Sequence, residues 1–427
     1  MLQDPNVPAE TTGLEKDRPN IEHVEHKCLE TYSLSCESER SKLTTLYHES
    51  ADATRRSFLA AASAGLNAPL HRKSLPSMYL YDSVGSDLYQ QITTLPEYYL
   101  TRTEAEILRS HAAHIAKTYL VPPVVTPKGE RSASSLVTDV VELGAGDGHK
   151  TRCLLDACIS ECKAAANLQS CAPLCVHDFE YFPLDISSGA LQSLIAGTPQ
   201  HLRSRTHGVV ADNLQGLSWV RSRHVERRTV VLFLGSSIGN YSRTSAVALL
   251  SDIRSQLRED DLVLIGFDLR KRDVRQLVSA YDDAAGVTAA FNRNLLSRLN
   301  RELGCGLTER DFAHYANWNA SEGCMESWLV AQKRVEIPLG AAKVVVEEAE
   351  AIHTEVSYKY SMQEIENMAE ASGFESLEVM VDERRWFADA VFRVCRKADR
   401  ASVAENSQLD CEEELSIVSD ESVNVTT

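Results

Sequence analysis

An acidic residue followed by three alternating glycines is the clearest sign of chemistry in this sequence. The stretch reads Glu142-Leu-Gly144-Ala-Gly146-Asp-Gly148 and leads into a predicted helix that opens near Lys150. Glycines permit positive φ angles and let the backbone approach a ligand, and helix N-termini offer unpaired N–H groups. The spacing G-x-G-x-G differs from the G-x-G-x-x-G of dinucleotide sites. With an acidic residue beside it, the loop suits S-adenosylmethionine (SAM), which carries a sulfonium and an ammonium; a glycine turn without a ligand is the alternative.

Four polar residues follow predicted strands that would lie beside this loop. Asp185 ends the second strand, where a carboxylate can accept hydrogen bonds from the two ribose hydroxyls of an adenosine. Asp212 and Asn213 follow the third strand, where they could bond to the adenine edge. Asn240 follows a fully apolar strand, and the carboxyl ends of parallel strands form the ligand crevice. Asp185 and Asn240 could each instead be a helix cap.

Tyrosines are concentrated in one region that precedes the glycine loop. Five of the 14 tyrosines in the chain are Tyr79, Tyr81, Tyr89, Tyr98 and Tyr99. A tyrosine combines a flat apolar ring with one polar end, which suits a pocket for a small polar aromatic ligand. A packed aromatic core under a loop would explain the same residues, and the sequence leaves both readings open.

A second polar pair lies in an alternating segment near the C-terminus. Within residues 352–360, Glu355 and Ser357 are two positions apart, so in a strand they point to the same face. This face would offer a hydrogen-bond acceptor beside a hydroxyl that can both donate and accept. The alternative is that Glu355 is a solvated strand carboxylate.

Strands and helices alternate along the middle of the chain, which predicts a parallel sheet with right-handed crossovers. The predicted strands are residues 137–143, 179–186, 206–212, 228–234, 261–268, 325–330, 341–346, 352–360, 377–381 and 388–395. Helical patterns cover residues 150–166, 276–303 and 361–372. Thr103, with Glu104 and Glu106 behind it, predicts the N-terminal cap of one more helix.

The composition is that of an ordinary globular protein with a net charge of -17, which argues against nucleic acid and membrane surfaces as partners. No apolar run reaches the roughly 18 residues that span a bilayer, and the N-terminus lacks a signal-peptide pattern. We therefore expect a cytoplasmic protein. The spacings of Cys158 with Cys162 and of Cys171 with Cys175 could suggest zinc, but the first pair falls in a helical pattern without suitably spaced histidines. We expect reduced thiols and no metal.

Six motifs in order resemble the SAM-dependent histidine Nα-methyltransferase family of ergothioneine biosynthesis. They are Tyr81-Asp-Ser-Val-Gly-Ser-Asp-Leu, Leu95-Pro-Glu-Tyr-Tyr-Leu-Thr-Arg-Thr-Glu, Val141-Glu-Leu-Gly-Ala-Gly, Phe233-Leu-Gly-Ser-Ser-Ile-Gly-Asn, Ala280-Tyr-Asp-Asp-Ala-Ala-Gly-Val-Thr-Ala-Ala-Phe-Asn and Thr354-Glu-Val-Ser-Tyr-Lys-Tyr. The resemblance covers about residues 57–396, nearly everything between the two polar ends of the chain.

The resemblance implies an α/β fold, in which a Rossmann-type class I methyltransferase sheet carries a second, substrate-binding domain built from an N-terminal segment and a long insertion. The implied substrate-binding domain covers residues 46–103 and 271–360, and the SAM-binding domain covers residues 104–270 and 361–397. Residues 1–45 would be a disordered extension and residues 398–427 an acidic disordered tail. Residues 161–177 lengthen the connection before Asp185, and we interpret them as a surface insertion.

The resemblance also assigns the site. The residues implied to bind the amino-acid substrate are Tyr81, Tyr98, Asn240, Tyr281, Met325, Glu355 and Ser357. Among these, Tyr98 and Asn240 would orient the amine for reaction, whereas Glu355 and Ser357 would read an imidazole with Met325 packed nearby. The implied SAM contacts are Gly144, Gly146, Lys150, Asp185, Asp212 and Asn213. Asn213 stands where close relatives would have an aromatic residue, so its contact would be through the backbone.

The implied reaction transfers methyl groups from SAM to the α-nitrogen of L-histidine, three times, to give hercynine, the first step of ergothioneine biosynthesis. A monomer acting on a free amino acid is expected. Two alternatives remain open: an N-methyltransferase of a prenylated tryptophan in alkaloid biosynthesis, and a catalytically inactive homologue that binds SAM and an amino acid. Met325, Glu355 and Ser357 together favour histidine.

Overall fold

The computed structural model describes residues 42–46, 51–122, 137–167, 178–340 and 342–395. Its helices are Ala51–Leu66 (α1), Ser83–Thr94 (α2), Tyr99–Ile115 (α3), Arg152–Asn167 (α4), Ser188–Gly197 (α5), Gln200–Arg203 (α6), Asn213–Arg223 (α7), Arg243–Gln256 (α8), Val274–Tyr281 (α9), Val287–Leu303 (α10) and Met362–Ala371 (α11). Short 3-10 turns cover Ser77–Leu80, Ser237–Asn240 and Glu309–Asp311, and a π-helical turn covers Ala116–Leu120. Within these ranges, no helix is both long and apolar enough to cross a membrane.

The strands are Lys42–Thr45 (β1), Val137–Leu143 (β2), Asp178–Asp185 (β3), His207–Val210 (β4), Arg228–Phe233 (β5), Leu262–Asp268 (β6), Phe312–Asn319 (β7), Cys324–Ala331 (β8), Val335–Leu339 (β9), Ala342–Val346 (β10), Ala351–Tyr358 (β11), Phe374–Val381 (β12) and Phe387–Val394 (β13). In the described part of the chain, eight of them form the main sheet, in the order β1-β4-β3-β2-β5-β6-β13-β12. Its members pair in parallel except β13, which is antiparallel to both β6 and β12.

The strand order reverses between β2 and β5. From β2 the chain moves outward to β3 and β4, and then it returns to place β5 on the other side of β2. Ligands of open α/β sheets bind outside the carboxyl ends of the strands at such a reversal. This topology confirms the predicted Rossmann-type class I sheet and places the glycine loop, which follows β2, at the reversal.

Both faces of the main sheet are covered, as continuous apolar strands require. Successive residues of a strand point to opposite faces, and the neighbours Val140 and Val141 accordingly belong to two separate buried clusters. The first cluster extends into helices α1, α3 and α4, and the second contains residues of α7, α8 and α11. The central strands are therefore rigid supports for the loops at their ends.

Residues between β6 and α11 form a second layer of structure. Strands β11, β8 and β7 make an antiparallel sheet, which we call the small sheet, and β9 pairs with β10. Helix α10 packs on α2 and on β7, so the tyrosine-rich N-terminal segment and this insertion contact one another. The predicted boundaries between a substrate-binding and a SAM-binding domain remain a prediction.

Two expectations about local structure were wrong. Residues 42–45, which we assigned to a disordered extension ending at residue 45, form an edge strand parallel to β4; four mostly polar residues with a distant partner carry little local signal. Thr103 does not cap a helix: α3 begins four residues earlier, and the buried Thr103 hydroxyl donates to the Tyr99 carbonyl at 2.9 Å. Residues 276–303 are largely helical, as expected, but they form two helices: between α9 and α10, Asp283 accepts hydrogen bonds from the first N–H groups of α10.

Some predicted features lie outside the described residues. They are residues 1–41, residues 168–177 of the expected insertion, the expected acidic tail of residues 398–427, and Cys171 with Cys175. Of the cysteines considered as zinc ligands, Cys158 and Cys162 are buried thiols on α4. Burial raises the pKa of Cys162 to about 11, so this thiol is protonated at neutral pH.

Candidate active site

A cavity of about 500 Å³ opens at the carboxyl ends of the central strands and extends to the small sheet. Its size is that of small-molecule sites. The predicted site residues on its wall are Gly144, Gly146, Lys150, Asp185, Asp212, Asn213, Tyr81, Tyr98, Asn240, Tyr281, Glu355 and Ser357. Residues that are distant in sequence thus meet around one space, with the glycine loop at one end and Glu355 at the other.

Met325 is the predicted site residue that does not line the cavity. It is 1% exposed and lies on β8, directly opposite Ser357 on β11 and Trp318 on β7. Residues opposite one another in an antiparallel pair share a face. Met325 therefore packs beside Ser357, and direct contact with a ligand remains a prediction.

The glycine loop has the backbone geometry that its sequence predicts. The φ angles of Gly144 and Gly146 are 64° and 56°, and a Cβ atom added to either would have no neighbour within 4 Å. The backbone angle alone therefore favours glycine at both positions, and the space beside them belongs to the cavity. Gly148 differs, since its Cβ would lie 2.8 Å from a methyl group of Leu194.

Asp185 is fixed at the end of β3 by backbone N–H groups. One carboxylate oxygen accepts from Gly146 at 3.1 Å and the other accepts from Ser187 at 2.8 Å. Burial raises the pKa of Asp185, although these hydrogen bonds favour the charged form. The glycine loop thus orients the carboxylate, and a nucleoside bound at this loop would lie beside it.

Glu142 does not face a ligand, contrary to our use of it as an acidic partner for SAM. It is buried and lies off the cavity wall, where its carboxylate accepts hydrogen bonds from the Thr151 hydroxyl at 2.6 Å and from the Tyr181 hydroxyl. Burial raises its pKa to about 7. Because Thr151 directly precedes α4, Glu142 ties β2 to the start of this helix.

Glu104 is a buried residue behind the cavity wall that sequence reasoning assigned to a helix cap. Its carboxylate pairs with the Lys150 ammonium and accepts a hydrogen bond from the Gly235 N–H at 2.6 Å. Burial opposes the charge of Lys150, but the attraction of Glu104 outweighs it and raises the Lys150 pKa. Space for this carboxylate requires Gly266, whose added Cβ would lie 2.3 Å from Glu104 Oε1.

Asn240 and Asp212 differ in their local roles. Asn240 ends the 3-10 turn after β5 and lines the cavity, whereas the cap of the next helix, α8, is Ser242. Asp212 caps α7 by accepting from the Gln215 N–H at 2.9 Å, and it lines the cavity as well. Asn240 is therefore not the N-cap of α8, and Asp212, for which no cap was predicted, both caps α7 and lines the cavity.

The tyrosine-rich segment divides between cavity and core. Tyr81, Tyr89 and Tyr98 line the cavity, and Tyr98 faces Tyr281 with ring centroids 6.3 Å apart. Burial raises the pKa of Tyr81, Tyr98 and Tyr281 above the ordinary value, so all three hydroxyls are neutral at physiological pH. This wall is aromatic and uncharged, with hydroxyl groups as its polar points.

The two other tyrosines of the segment belong to the core. Tyr79 stacks on Phe58 with centroids 4.4 Å apart, and the buried Tyr99 hydroxyl donates to Asp268 at 2.7 Å. The packed-core reading is therefore correct for these two tyrosines, whereas ligand binding by the three that line the cavity stays a prediction.

Glu355 supplies the one carboxylate at the small-sheet end of the cavity wall, within the described residues. Burial raises its pKa to about 7, against the charge of Lys359 and a hydrogen bond from the Tyr81 hydroxyl. A bulge in the pairing of β11 with β8 falls between His353 and Glu355. The carboxylate is only partly buried, so it can accept a further hydrogen bond from the cavity side.

Lys359 and Asp268 form a buried ion pair behind Ser357 and Tyr281 that sequence reasoning missed. Lys359 Nζ lies 2.8 Å from Asp268 Oδ2, and both side chains are 0% exposed. The alternation in the sequence could have placed Lys359 but not its partner. Lys359 follows Glu355 and Ser357 at the same two-residue spacing, on the face that points inward.

Comparisons with known proteins agree with this geometry. The family described as "Histidine-specific methyltransferase, SAM-dependent" matches residues 58–394. The histidine N-alpha-methyltransferase of Mycolicibacterium smegmatis is 39% identical over 318 residues, which cover 74% of this chain and 87% of that protein. Ergothioneine biosynthesis protein 1 of Schizosaccharomyces pombe is 32% identical over 71% of this chain and 37% of its own length. A 4-dimethylallyltryptophan N-methyltransferase of Claviceps fusiformis is 26% identical over 68% of this chain and 80% of that protein.

Proposed function

Since the chain belongs to the histidine-specific, SAM-dependent methyltransferase family, we propose that it transfers methyl groups from SAM to the α-amino nitrogen of L-histidine. The observation that carries the proposal is Glu355, a half-buried carboxylate on the wall of a tyrosine-lined cavity that continues to the glycine loop. An imidazole N–H is the donor on histidine that this acceptor suits.

SAM would occupy the glycine-loop end of the cavity. Asp185 would accept hydrogen bonds from the ribose hydroxyls, and the backbone beside Gly144 and Gly146 is open to the ligand. Asp212 and Asn213 would lie along the adenine. Lys150 would face the carboxylate of the methionine part, since it lines the cavity and its side chain is 22% exposed although it is paired with Glu104.

The reaction is a direct displacement in which the α-nitrogen lone pair attacks the methyl carbon while the bond from that carbon to sulfur breaks. The attacking amine must be neutral, although an α-amino group has a pKa of about 8. Tyr98, Tyr281 and Asn240 can orient an amine without a negative charge that would hold its proton. Catalysis then comes mainly from alignment, for which effective molarities of about 10^5 M are attainable.

Repeating the transfer three times would give the betaine hercynine, the first intermediate on the route to ergothioneine. The uncharged wall around Tyr98 and Tyr281 suits a nitrogen that gains methyl groups and becomes permanently cationic, because aromatic faces attract such cations. We further propose that the enzyme acts as a cytoplasmic monomer on the free amino acid.

A prenylated tryptophan is the competing substrate, since one relative acts on 4-dimethylallyltryptophan. An indole has a single N–H and no bare ring nitrogen. It could donate to Glu355 but would offer no hydrogen-bond acceptor to Ser357. Unpaired buried polar groups are a strong basis for discrimination.

The experiment is incubation of the purified protein with SAM and, separately, histidine, tryptophan or 4-dimethylallyltryptophan, followed by mass spectrometry. The proposal predicts methylated histidine and unchanged indole substrates. Methylation of an indole substrate alone would contradict it. If the protein methylated none of the three, the result would match the inactive-homologue alternative. SAM binding by itself does not separate that alternative from an enzyme.

A further inference from the structure

The ammonium of Lys359 uses every hydrogen that it has. It donates to Asp268 Oδ2 at 2.8 Å, to the Tyr281 hydroxyl at 2.7 Å and to Ser357 Oγ at 2.9 Å. An ammonium has three donors and no acceptor, so its hydrogen bonding is complete. Tyr281 and Ser357 lie on the cavity wall, whereas Lys359 lies fully buried behind them.

The charge of Lys359 is permanent at physiological pH. Burial opposes it, but the attraction of Asp268 outweighs burial and brings the Lys359 pKa to about 12. Asp268 stays ionised because Lys359 and Lys271 lower its pKa despite its own burial, and the Tyr99 hydroxyl donates to it as well. Lys359 is therefore a fixed donor to both cavity hydroxyls.

These contacts decide which way the Ser357 hydroxyl points. Besides the hydrogen bond from Lys359, Ser357 Oγ accepts a hydrogen bond from the Tyr281 hydroxyl at 2.8 Å. A phenol is the more acidic partner of the two and so is the donor in this bond. A hydroxyl oxygen has two lone pairs, and both are then used. Ser357 can offer the cavity its hydrogen and no lone pair.

Glu355 gives the opposite half of the pattern. It lies two residues before Ser357 on the same wall, and in its ionised form, which prevails above its pKa of about 7, it only accepts. A neutral imidazole has one N–H and one bare nitrogen, which match this acceptor and this donor. An imidazolium has two N–H groups, and the second would meet the Ser357 hydrogen.

We propose that Lys359 is a positioning residue which holds Ser357 as a donor, so that the site binds histidine as the neutral imidazole in one tautomer, with its N–H towards Glu355. This inference rests on histidine being the substrate. It adds to that proposal a protonation state, a tautomer and the buried cation that selects them.

A direct test is nitrogen NMR of histidine labelled at both ring nitrogens, bound to the protein with S-adenosylhomocysteine at about pH 8, where Glu355 is mainly ionised. The inference predicts one protonated and one bare nitrogen in fixed positions, whereas free histidine exchanges between tautomers. A bound ring with two protonated nitrogens, or with both tautomers populated, would overturn it. Absence of any bound histidine would overturn the proposed substrate and this inference with it.

Variants test the part played by Lys359. Lys359→Met keeps the apolar stem and removes the donor; we expect the KM for histidine to rise about tenfold or more while the KM for SAM stays within about twofold. The bound histidine should then populate both tautomers in the NMR experiment. Lys359→Arg, which keeps the charge, should recover part of the affinity. Lys343→Met is the matched control, since Lys343 is 68% exposed and pairs with Glu336 away from the cavity.

If Lys359→Met proves unstable, Ser357→Ala tests the proposed donor itself; it keeps the ion pair of Lys359 with Asp268 and removes the hydrogen bond from Lys359 to Ser357. It removes the proposed donor and should raise the histidine KM similarly while leaving SAM binding unchanged. Equal losses for histidine and SAM in both variants would indicate a purely structural role and overturn the inference. A folded Lys359→Met protein with an unchanged histidine KM and a single bound tautomer would overturn it too.

Discussion

Glu104 on α3 accepts a hydrogen bond from the backbone N–H of Gly235 at 2.6 Å. The same carboxylate holds the Lys150 ammonium, so one buried side chain joins the loop after β5 to the start of the helix behind the glycine loop. The glycine loop after β2 and the loop after β5 are thus held in place by the same side chain.

Replacement Glu104→Gln should weaken both stability and SAM binding. The amide cannot balance the charge of Lys150, and breaking a buried ion pair costs about 3 kcal/mol or more. Urea denaturation and SAM titration would measure the two effects. Glu106→Gln is the control, since Glu106 lies two residues further along α3 with its side chain 48% exposed. Equal behaviour of the two variants would contradict the role of Glu104.

Replacement Gly266→Ala should reproduce the defect of Glu104→Gln without changing any charge. The new Cβ would lie 2.3 Å from Glu104 Oε1 and 3.1 Å from the Phe387 ring, so the carboxylate must move. Overpacking of this kind costs about 1 to 3 kcal/mol. Gly197→Ala, where the added Cβ meets nothing within 4 Å, should leave stability and SAM affinity nearly unchanged. SAM affinity that survives Gly266→Ala would mean that Glu104 does not set it.

Replacement Gly146→Ala tests the backbone of the loop. At a φ of 56° an alanine is strained by about 1 kcal/mol, and nothing in the protein blocks its methyl group, so the fold should persist. The methyl would project beside the space assigned to SAM, and we expect roughly tenfold weaker SAM binding by calorimetry. Gly189→Ala, where φ is ordinary, provides the comparison. Unaltered SAM binding would argue against the assignment of SAM to this loop.

Replacement Glu355→Gln should stabilise the protein at alkaline pH while it impairs histidine recognition. Burial raises the Glu355 pKa from 4.5 to about 7. A carboxyl that holds its proton more tightly when folded favours folding below its unfolded pKa, and this contribution is lost as pH rises through about 7. At about pH 8 the ionised Glu355 therefore lowers the free energy of unfolding of the wild-type protein by about 3 kcal/mol, and the glutamine variant lacks this loss.

Urea denaturation at about pH 5 and pH 8, with the exposed Glu348→Gln as control, would measure this effect. The stability difference between Glu355→Gln and wild type should grow with pH, and the control should show no such trend. A pH-independent difference would mean that Glu355 is not the half-buried, ligand-facing carboxyl described above.

Periodicity and glycine spacing were enough to predict the central strands and the place of the glycine loop, because parallel strands buried on both faces are continuously apolar. They did not predict β1, whose partner β4 is far away in sequence. They also missed β7, which pairs with its neighbour β8 but mixes apolar and polar residues without a regular alternation. Local patterns also misread Glu104: a single carboxylate beside a threonine looks like a cap, and only the packing of α3 on the sheet reveals its partners Lys150 and Gly235.

The same limit applies to the polar side of the cavity. The alternation of β11 placed Glu355 and Ser357 on one face, but the proton-donating role of Ser357 depends on Lys359, Asp268 and Tyr281 together. Asp268 is the last residue of β6, and no spacing in the sequence links it to Lys359. The family motifs supplied the residue types, and the three-dimensional contacts supply the reason for their chemistry.

The most direct test of the central claim is to locate the methyl groups in the product formed from histidine and SAM, by fragmentation mass spectrometry. The account predicts one, two and finally three methyl groups, all on the α-nitrogen, with the imidazole unchanged. Methyl groups on a ring nitrogen, or a histidine that emerges unmodified while SAM is consumed on another amine, would contradict it.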